Sequence, residues 1–162
     1  MLTFAMPNGR PQRARAALRW TLLLGVFLLG CRAGLGQAGP TSLDEYFNHA
    51  RELEKKEDYA GAEKVYLEAA KDYPNQPEIL KRLGIVYQTE LKFQESIDAF
   101  QRVLQGAPTY PEVNFYLGVS YFGLNQLDKA IDSFNKELEA NPNYRRAHYY
   151  EAQAYRSLNR NA

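Results

Sequence analysis

Three prolines recur at one interval: Pro74, Pro108 and Pro142, with 108 − 74 = 34 and 142 − 108 = 34. A breaker repeated in phase makes the chain build the same local unit several times over. A fixed period in the range of about 20–50 residues is the mark of a repeat architecture, one supersecondary unit per repeat. A single unit cannot bury its own apolar face, so successive copies must stack. The period therefore predicts an array of stacked copies.

Other positions keep the same period. An aromatic stands eight residues before each proline: Tyr66, Phe100, Phe134. Ala62, Ser96 and Ala130 stand four residues before those. Ala50, Gly84, Gly118 and Ala152 form a further series, followed three positions later by Leu53, Tyr87, Tyr121 and Tyr155. Small residues let two helices approach closely, and the aromatics fill the space beside that contact. On these residues the chain resembles the tetratricopeptide repeat (TPR) family over residues 43–159. The resemblance implies an all-α fold, an α-solenoid of three antiparallel helix–turn–helix hairpins, at 43–76, 77–110 and 111–144, and a last helix at 145–159. Together they form a domain of residues 42–159.

The chain departs from the family pattern in places. Where the family prefers a small residue five before the proline, the chain has Ala69, Val103 and then Glu137. Where it prefers a large aromatic early in the first helix, the chain has Tyr46, Leu80, Asn114 and His148. The family's leucine in that helix is His49 in the first unit and Glu151 in the last, as suits terminal repeats with one face in water. Glu137 argues against close packing of the third unit's second helix.

Helix signals agree with the period. Ser42 with Glu45 forms a capping box. Pro77 with Glu78, and Pro111 with Glu112, place a proline and an acid in a first turn. Asn75 and Asn141 mark turns between units. The predicted helices are 43–56, 59–72, 77–90, 93–106, 111–124, 127–140 and 144–158. The last helix reads either as a cap on the stack, given polar Glu151, Gln153, Arg156 and Arg160, or as the start of further repeats in a truncated array.

The first forty residues obey other rules. Arg10, Arg13, Arg15 and Arg19 form a basic segment without an acid, and Trp20 to Gly30 is a short apolar run. That order predicts a bacterial-style secretory signal peptide at residues 1–30. The run is shorter than the roughly 20 apolar residues of a membrane-spanning helix. The whole chain carries a net charge of +1, and without the four arginines 1 − 4 = −3. Nothing in that balance points to nucleic acid.

Cys31 is the sole cysteine, so no internal disulfide is possible. Leu28-Leu29-Gly30-Cys31 resembles a bacterial lipoprotein processing site, although Leu29 replaces the usual small or β-branched residue. The resemblance implies lipidation of Cys31, a flexible tether at 31–41, and an exported protein anchored to a membrane facing the periplasm. No aspartate follows Cys31, which favours the outer membrane. Two readings stand beside it: cleavage after Ala38, leaving a periplasmic or secreted protein, and an uncleaved anchor. Gly34-Leu35-Gly36-Gln37-Ala38-Gly39 matches G-x-G-x-x-G. A dinucleotide site needs a strand before it and a helix after it, however, and here an export signal precedes and Pro40 comes next.

Residues for catalysis do not converge in the sequence. His49 and His148 are 148 − 49 = 99 residues apart, and neither has a patterned cysteine or second histidine beside it. The acids scatter over solvated helix faces. No catalytic residue, metal or cofactor is predicted.

The resemblance implies a concave groove lined by the first helix of each unit. Its rows are Asp44, Phe47, Arg51, Glu54; Glu78, Lys81, Ile85, Gln88; Glu112, Phe115, Val119, Phe122; and Arg146, Tyr149, Gln153, Arg156. Each row is one helical stripe. Phe115, Phe122 and Tyr149 are read as one aromatic patch flanked by Lys81, Arg51 and Arg146, with core packing the alternative for Phe115 and Phe122. Chaperone-binding family members clamp a terminal carboxylate with basic residues and asparagines. Lys81 and Arg146 fall at basic places, but Ile85 and Tyr116 replace the asparagines and Tyr150 the arginine. The reading is a non-enzymatic scaffold or adaptor that binds a peptide segment of another protein and serves assembly of an envelope complex. The alternatives are an array presenting substrates to an enzyme encoded elsewhere, and an exported binder of a small apolar ligand.

Overall fold

The computed structural model describes residues 42–74 and 76–161, with the backbone alone for 160 and 161. All of them belong to one unit, Pro40–Ala162. The predicted signal peptide, the tether with Cys31, the G-x-G-x-x-G match and the turn at Asn75 lie outside the described residues.

Seven helices succeed one another: α1 (Leu43–Lys55), α2 (Tyr59–Asp72), α3 (Pro77–Thr89), α4 (Phe93–Gly106), α5 (Val113–Gly123), α6 (Leu127–Ala140) and α7 (Arg145–Asn161). Among the described residues there is no strand. Each helix packs on its neighbours in sequence, giving three antiparallel hairpins, α1–α2, α3–α4 and α5–α6, with α7 against α6. This is an all-α solenoid of stacked helix–turn–helix hairpins.

Local chemistry sets the helix ends. At α1 the Glu45 backbone N–H donates to Ser42 Oγ at 3.3 Å, and the Ser42 N–H donates to Glu45 Oε2 at 3.1 Å. The predicted capping box is thus formed. Pro77 opens α3 with Glu78 in the first turn, where a missing N–H costs nothing. The parallel expectation for Pro111 and Glu112 is corrected. Glu112 takes the left-handed conformation, φ 64°, and α5 starts only at Val113.

All three hairpin turns are built alike. Glu57, Leu91 and Asn125, spaced by 34, have φ of 61°, 60° and 56°. In each, the next residue's N–H reaches back five: Asp58 to Leu53, Lys92 to Tyr87, Gln126 to Tyr121, at 2.9, 2.8 and 2.9 Å. These are Schellman motifs, which close the first helix with a left-handed residue.

The small-residue series lies at the hairpin contact. A Cβ on Gly84 would come within 2.6 Å of the Phe100 ring, and one on Gly118 within 2.5 Å of the Phe134 ring. Tyr66, Phe100 and Phe134 are all fully buried, and burying such a ring contributes about 1.5–3 kcal/mol. Gly123 is less free than its place at a helix end suggests, because a Cβ there would meet the Phe93 ring at 2.6 Å. Ala152 departs from its series. It is exposed, while Ala147 and Ala154 bury against α6. The reason is topological: Ala50, Gly84 and Gly118 face the second helix of their own unit, and α7 has no such helix on that side among the described residues.

Glu137 does not loosen the third unit. It is 5% exposed, and its carboxylate accepts hydrogen bonds from the backbone N–H groups of Phe115 and Glu112. No side chain of its own segment caps α5, so Glu137 caps it from α6. Burial pushes this carboxyl above its usual range, against the lowering effect of those N–H bonds.

Units are tied by a second repeated contact. Tyr110 donates to Glu78 at 2.8 Å and Tyr144 donates to Glu112 at 3.2 Å, the same pair shifted by 34 residues. Burial, then the acid, raises each hydroxyl to about 12. Between α3 and α5, Gln88 Nε2 donates to the Tyr116 carbonyl and to Ser120 Oγ, both at 2.7 Å.

Candidate functional site

Phe47, Lys81, Phe115 and Tyr149 hold the same place in successive units. For the first three, that place is where a first helix meets both its own second helix and the first helix that follows; for Tyr149, on α7, no described helix comes next. Exposure therefore depends on which helices the chain supplies after that position. Phe47 is half-buried against the Tyr66 ring, 6.2 Å between centroids. Lys81 is 9% exposed and donates to Glu112 Oε2 at 3.2 Å. Phe115 is fully buried, ringed by Phe134, Tyr144 and Tyr150 at 6.1, 5.1 and 5.7 Å. Tyr149 is 61% exposed.

Two site expectations are thereby corrected. Phe115 is core, because α7 covers it, and it offers nothing to a ligand. Lys81 is an internal ion-pair partner rather than a free cation in a groove. The continuous patch of Phe115, Phe122 and Tyr149 does not form as such. Tyr150 stands between them, with ring centroids 6.3 Å from Phe122 and 5.5 Å from Tyr149.

The remaining predicted residues stay at or near the surface. Arg51 is exposed, and its guanidinium donates to Asn48 Oδ1 at 2.6 Å. Arg146 is exposed and lies over the Phe115 ring at 4.6 Å and the Tyr116 ring at 6.0 Å. Ile85, Val119, Phe122 and Gln153 are half-buried, and Gln153 Nε2 donates to the Tyr149 hydroxyl at 3.0 Å.

The face lined by first helices thus has two parts. Between α1 and α3 lies a cleft of about 170 Å³ lined by Asp44, Phe47, Arg51, Tyr66, Glu78 and Arg82. Aromatic rings form part of its wall, and two carboxylates and two guanidinium groups edge it. Arg82 Nε donates to Glu78 Oε1 at 2.8 Å. Between α5 and α7 lies a half-buried aromatic strip of Tyr116, Phe122 and Tyr150 beside Arg146. Together these groups offer apolar floors with charged donors and acceptors at the edges.

Sequence reasoning left Arg82 out of this face, and it placed Tyr116 and Tyr150 there only as departures from a carboxylate clamp, not as an aromatic strip. The signal was present, since 82, 116 and 150 form another 34-residue series, one position after the assigned row. Two larger clefts, about 520 and 530 Å³, sit where second helices meet the turns between units. Their linings correspond by one period (Pro74 and Pro108, Arg102 and Lys136), so they are gaps left by stacking.

Among the described residues, no group of three or more His, Cys, Asp or Glu side chains could hold a metal ion. Among them, no helix is long and apolar enough to cross a membrane.

A family model described as Tetratricopeptide repeat matches residues 47–111, 82–145 and 115–162. Several solved structures share the fold. The first TPR of Spaghetti (RPAP3), bound to the HSP90 peptide SRMEEVD, has a TM-score of 0.68 at 18% identity, over 70% of this chain and 90% of that one. MamA from Desulfovibrio magneticus RS-1 has a TM-score of 0.68 at 22% identity, over 74% and 68%. The TPR2B domain of yeast Sti1, in a complex with pHsp70, has a TM-score of 0.65 at 17% identity, over 70% and 95%. No curated protein sequence matches the chain.

Proposed function

This chain belongs to the tetratricopeptide repeat family, and from that premise we propose that it is a protein-interaction scaffold whose first-helix face holds an extended peptide segment of another protein. The observation that carries the reading is the pairing on one face of a charged cleft at α1–α3 with an aromatic strip at α5–α7. Exposed charged edges steer an encounter, while aromatic floors supply most of the binding energy. Similar folds that hold chaperone peptides, in RPAP3 and in Sti1, support the mode of binding. The peptide chemistry differs, because Lys81 is paired internally with Glu112. A segment carrying apolar side chains for the strip and both charge signs for the cleft fits the face best.

The same proposal covers place and role. Lipidation at Cys31 tethers the scaffold to a membrane facing the periplasm, where it serves assembly of an envelope complex. Metabolic labelling with a fatty-acid analogue tests the tether: wild type takes label and Cys31→Ser does not. An unlabelled wild type overturns it.

Binding is tested by selecting peptides from a random display library on the full chain and mapping the contact by amide chemical shifts. The predicted map covers Phe47, Arg51, Arg82, Tyr116, Phe122 and Tyr150. A map confined to the second helices α2, α4 and α6 overturns the reading.

A further inference from the structure

The three hairpin turns share one backbone, with Glu57, Leu91 and Asn125 in the left-handed conformation. Their side chains differ. The first turn, Lys55-Lys56-Glu57-Asp58, is charged throughout and exposed. In the second and third turns leucines come to the surface: Leu91 is 72% exposed and Leu124 37%. Leu91 stands at φ 60°, where a leucine is strained, and it gains little burial in return. These two turns adjoin. The Phe93 ring lies against the backbone of Gly123, where a Cβ would come within 2.6 Å of it. Leu91 is two residues before Phe93 and Leu124 directly follows Gly123, so three apolar side chains gather at neighbouring tips.

The surroundings are acidic. Lys92 Nζ lies 2.7 Å from Glu63 Oε2 and 3.0 Å from Glu90 Oε2, one cation shared by two carboxylates. Glu95 and Asp128 are exposed in the first turns of α4 and α6, and Lys129 is drawn over the Tyr121 ring at 5.4 Å. Four acids thus stand against two lysines that already have partners.

We propose that these two hairpin tips dock a basic, apolar segment of a partner protein, with aliphatic side chains on Leu91, Phe93 and Leu124 and lysines or arginines toward Glu90, Glu95 and Asp128. Exposed apolar patches with a polar rim mark interaction surfaces, and opposite charge around them selects the partner. Strain and exposure at Leu91 then serve binding rather than stability. An anionic lipid surface is repelled by these acids, and a second copy of the same edge brings acid against acid. The site is separate from the peptide-binding face, because Leu91 and Leu124 lie beyond the C-terminal ends of α3 and α5.

The test titrates the full chain with a synthetic peptide, acetyl-KLLKLLK-amide, and maps the contact by amide chemical shifts. Saturable binding is expected, with shifts at residues 90–95 and 123–128. Raised salt weakens it, and the acidic counterpart, acetyl-ELLELLE-amide, does not bind. Leu91→Asn weakens binding about 10-fold or more with no loss of melting temperature, since Asn125 holds the equivalent turn. Absence of saturable binding overturns the proposal, as does a shift map on the first-helix face, equal binding of the acidic peptide, or affinity indifferent to Leu91→Asn. A wild-type dimer, or binding to vesicles of phosphatidylcholine and phosphatidylglycerol, that Leu91→Asn abolishes also overturns it, in favour of a second copy or a membrane.

Discussion

The ring of Phe134 lies in the space that a side chain on Gly118 would occupy, so that a Cβ there would come within 2.5 Å of the ring. The glycine and the phenylalanine are one packing device split between two helices. Gly118→Ala is expected to destabilise the chain by roughly 1–3 kcal/mol, because a fully buried ring has nowhere to move. Gly123→Ala meets Phe93 at a similar distance, but that ring is half-buried and swings aside. Thermal melts of the two variants check this: a clear loss for Gly118→Ala and a smaller one for Gly123→Ala.

Such contacts were legible in the sequence because the period places Ala50, Gly84 and Gly118 opposite Tyr66, Phe100 and Phe134. The helix spans were legible for the same reason. The face was less legible. A stripe along one helix says which residues share a side, but not which neighbour covers that side. Phe115 and Tyr149 are equivalent by sequence, and their exposure is opposite because α7 covers one and no described helix covers the other. The start of α5 and the role of Glu137 were also hidden, since a left-handed Glu112 and a cap delivered from another helix are tertiary facts.

Glu137 gives a pH prediction. Its folded pKa lies above the ordinary carboxyl value of 4.5, chiefly through burial. Such a group contributes stability that is fully present below 4.5 and lost as pH rises through the folded value. Wild type should therefore lose stability relative to Glu137→Gln over that window. Carboxyl NMR should give a midpoint above 4.5, with the Phe115 amide tracking it. A midpoint at or below 4.5 contradicts the account.

Leu91 is exposed at 72% and left-handed at φ 60°. Asn125 holds the equivalent turn with a residue suited to that conformation. Leu91→Asn should stabilise the chain by about 1 kcal/mol by relieving backbone strain. Denaturant melts check the sign, and a loss of stability would mean that the exposed leucine packs more than its exposure indicates.

Phe115 and Phe122 separate core from face. Phe115→Ala removes a fully buried ring and should cost about 3–5 kcal/mol of stability. Phe122→Ala removes a half-buried ring that touches Tyr150 and should cost less. Paired melts of the two variants decide the order, and equal losses would place Phe122 in the core as well.

The central claim, that the first-helix face binds a peptide, is tested most directly by the affinity of one library-selected peptide for three forms of the full chain. These are wild type, Phe122→Ala and, on a second helix, Leu67→Asp, each with its melting temperature measured. The account predicts that Phe122→Ala weakens binding by about 2 kcal/mol while the protein remains folded, and that Leu67→Asp leaves affinity unchanged. Affinity lost with Leu67→Asp and kept with Phe122→Ala would contradict it.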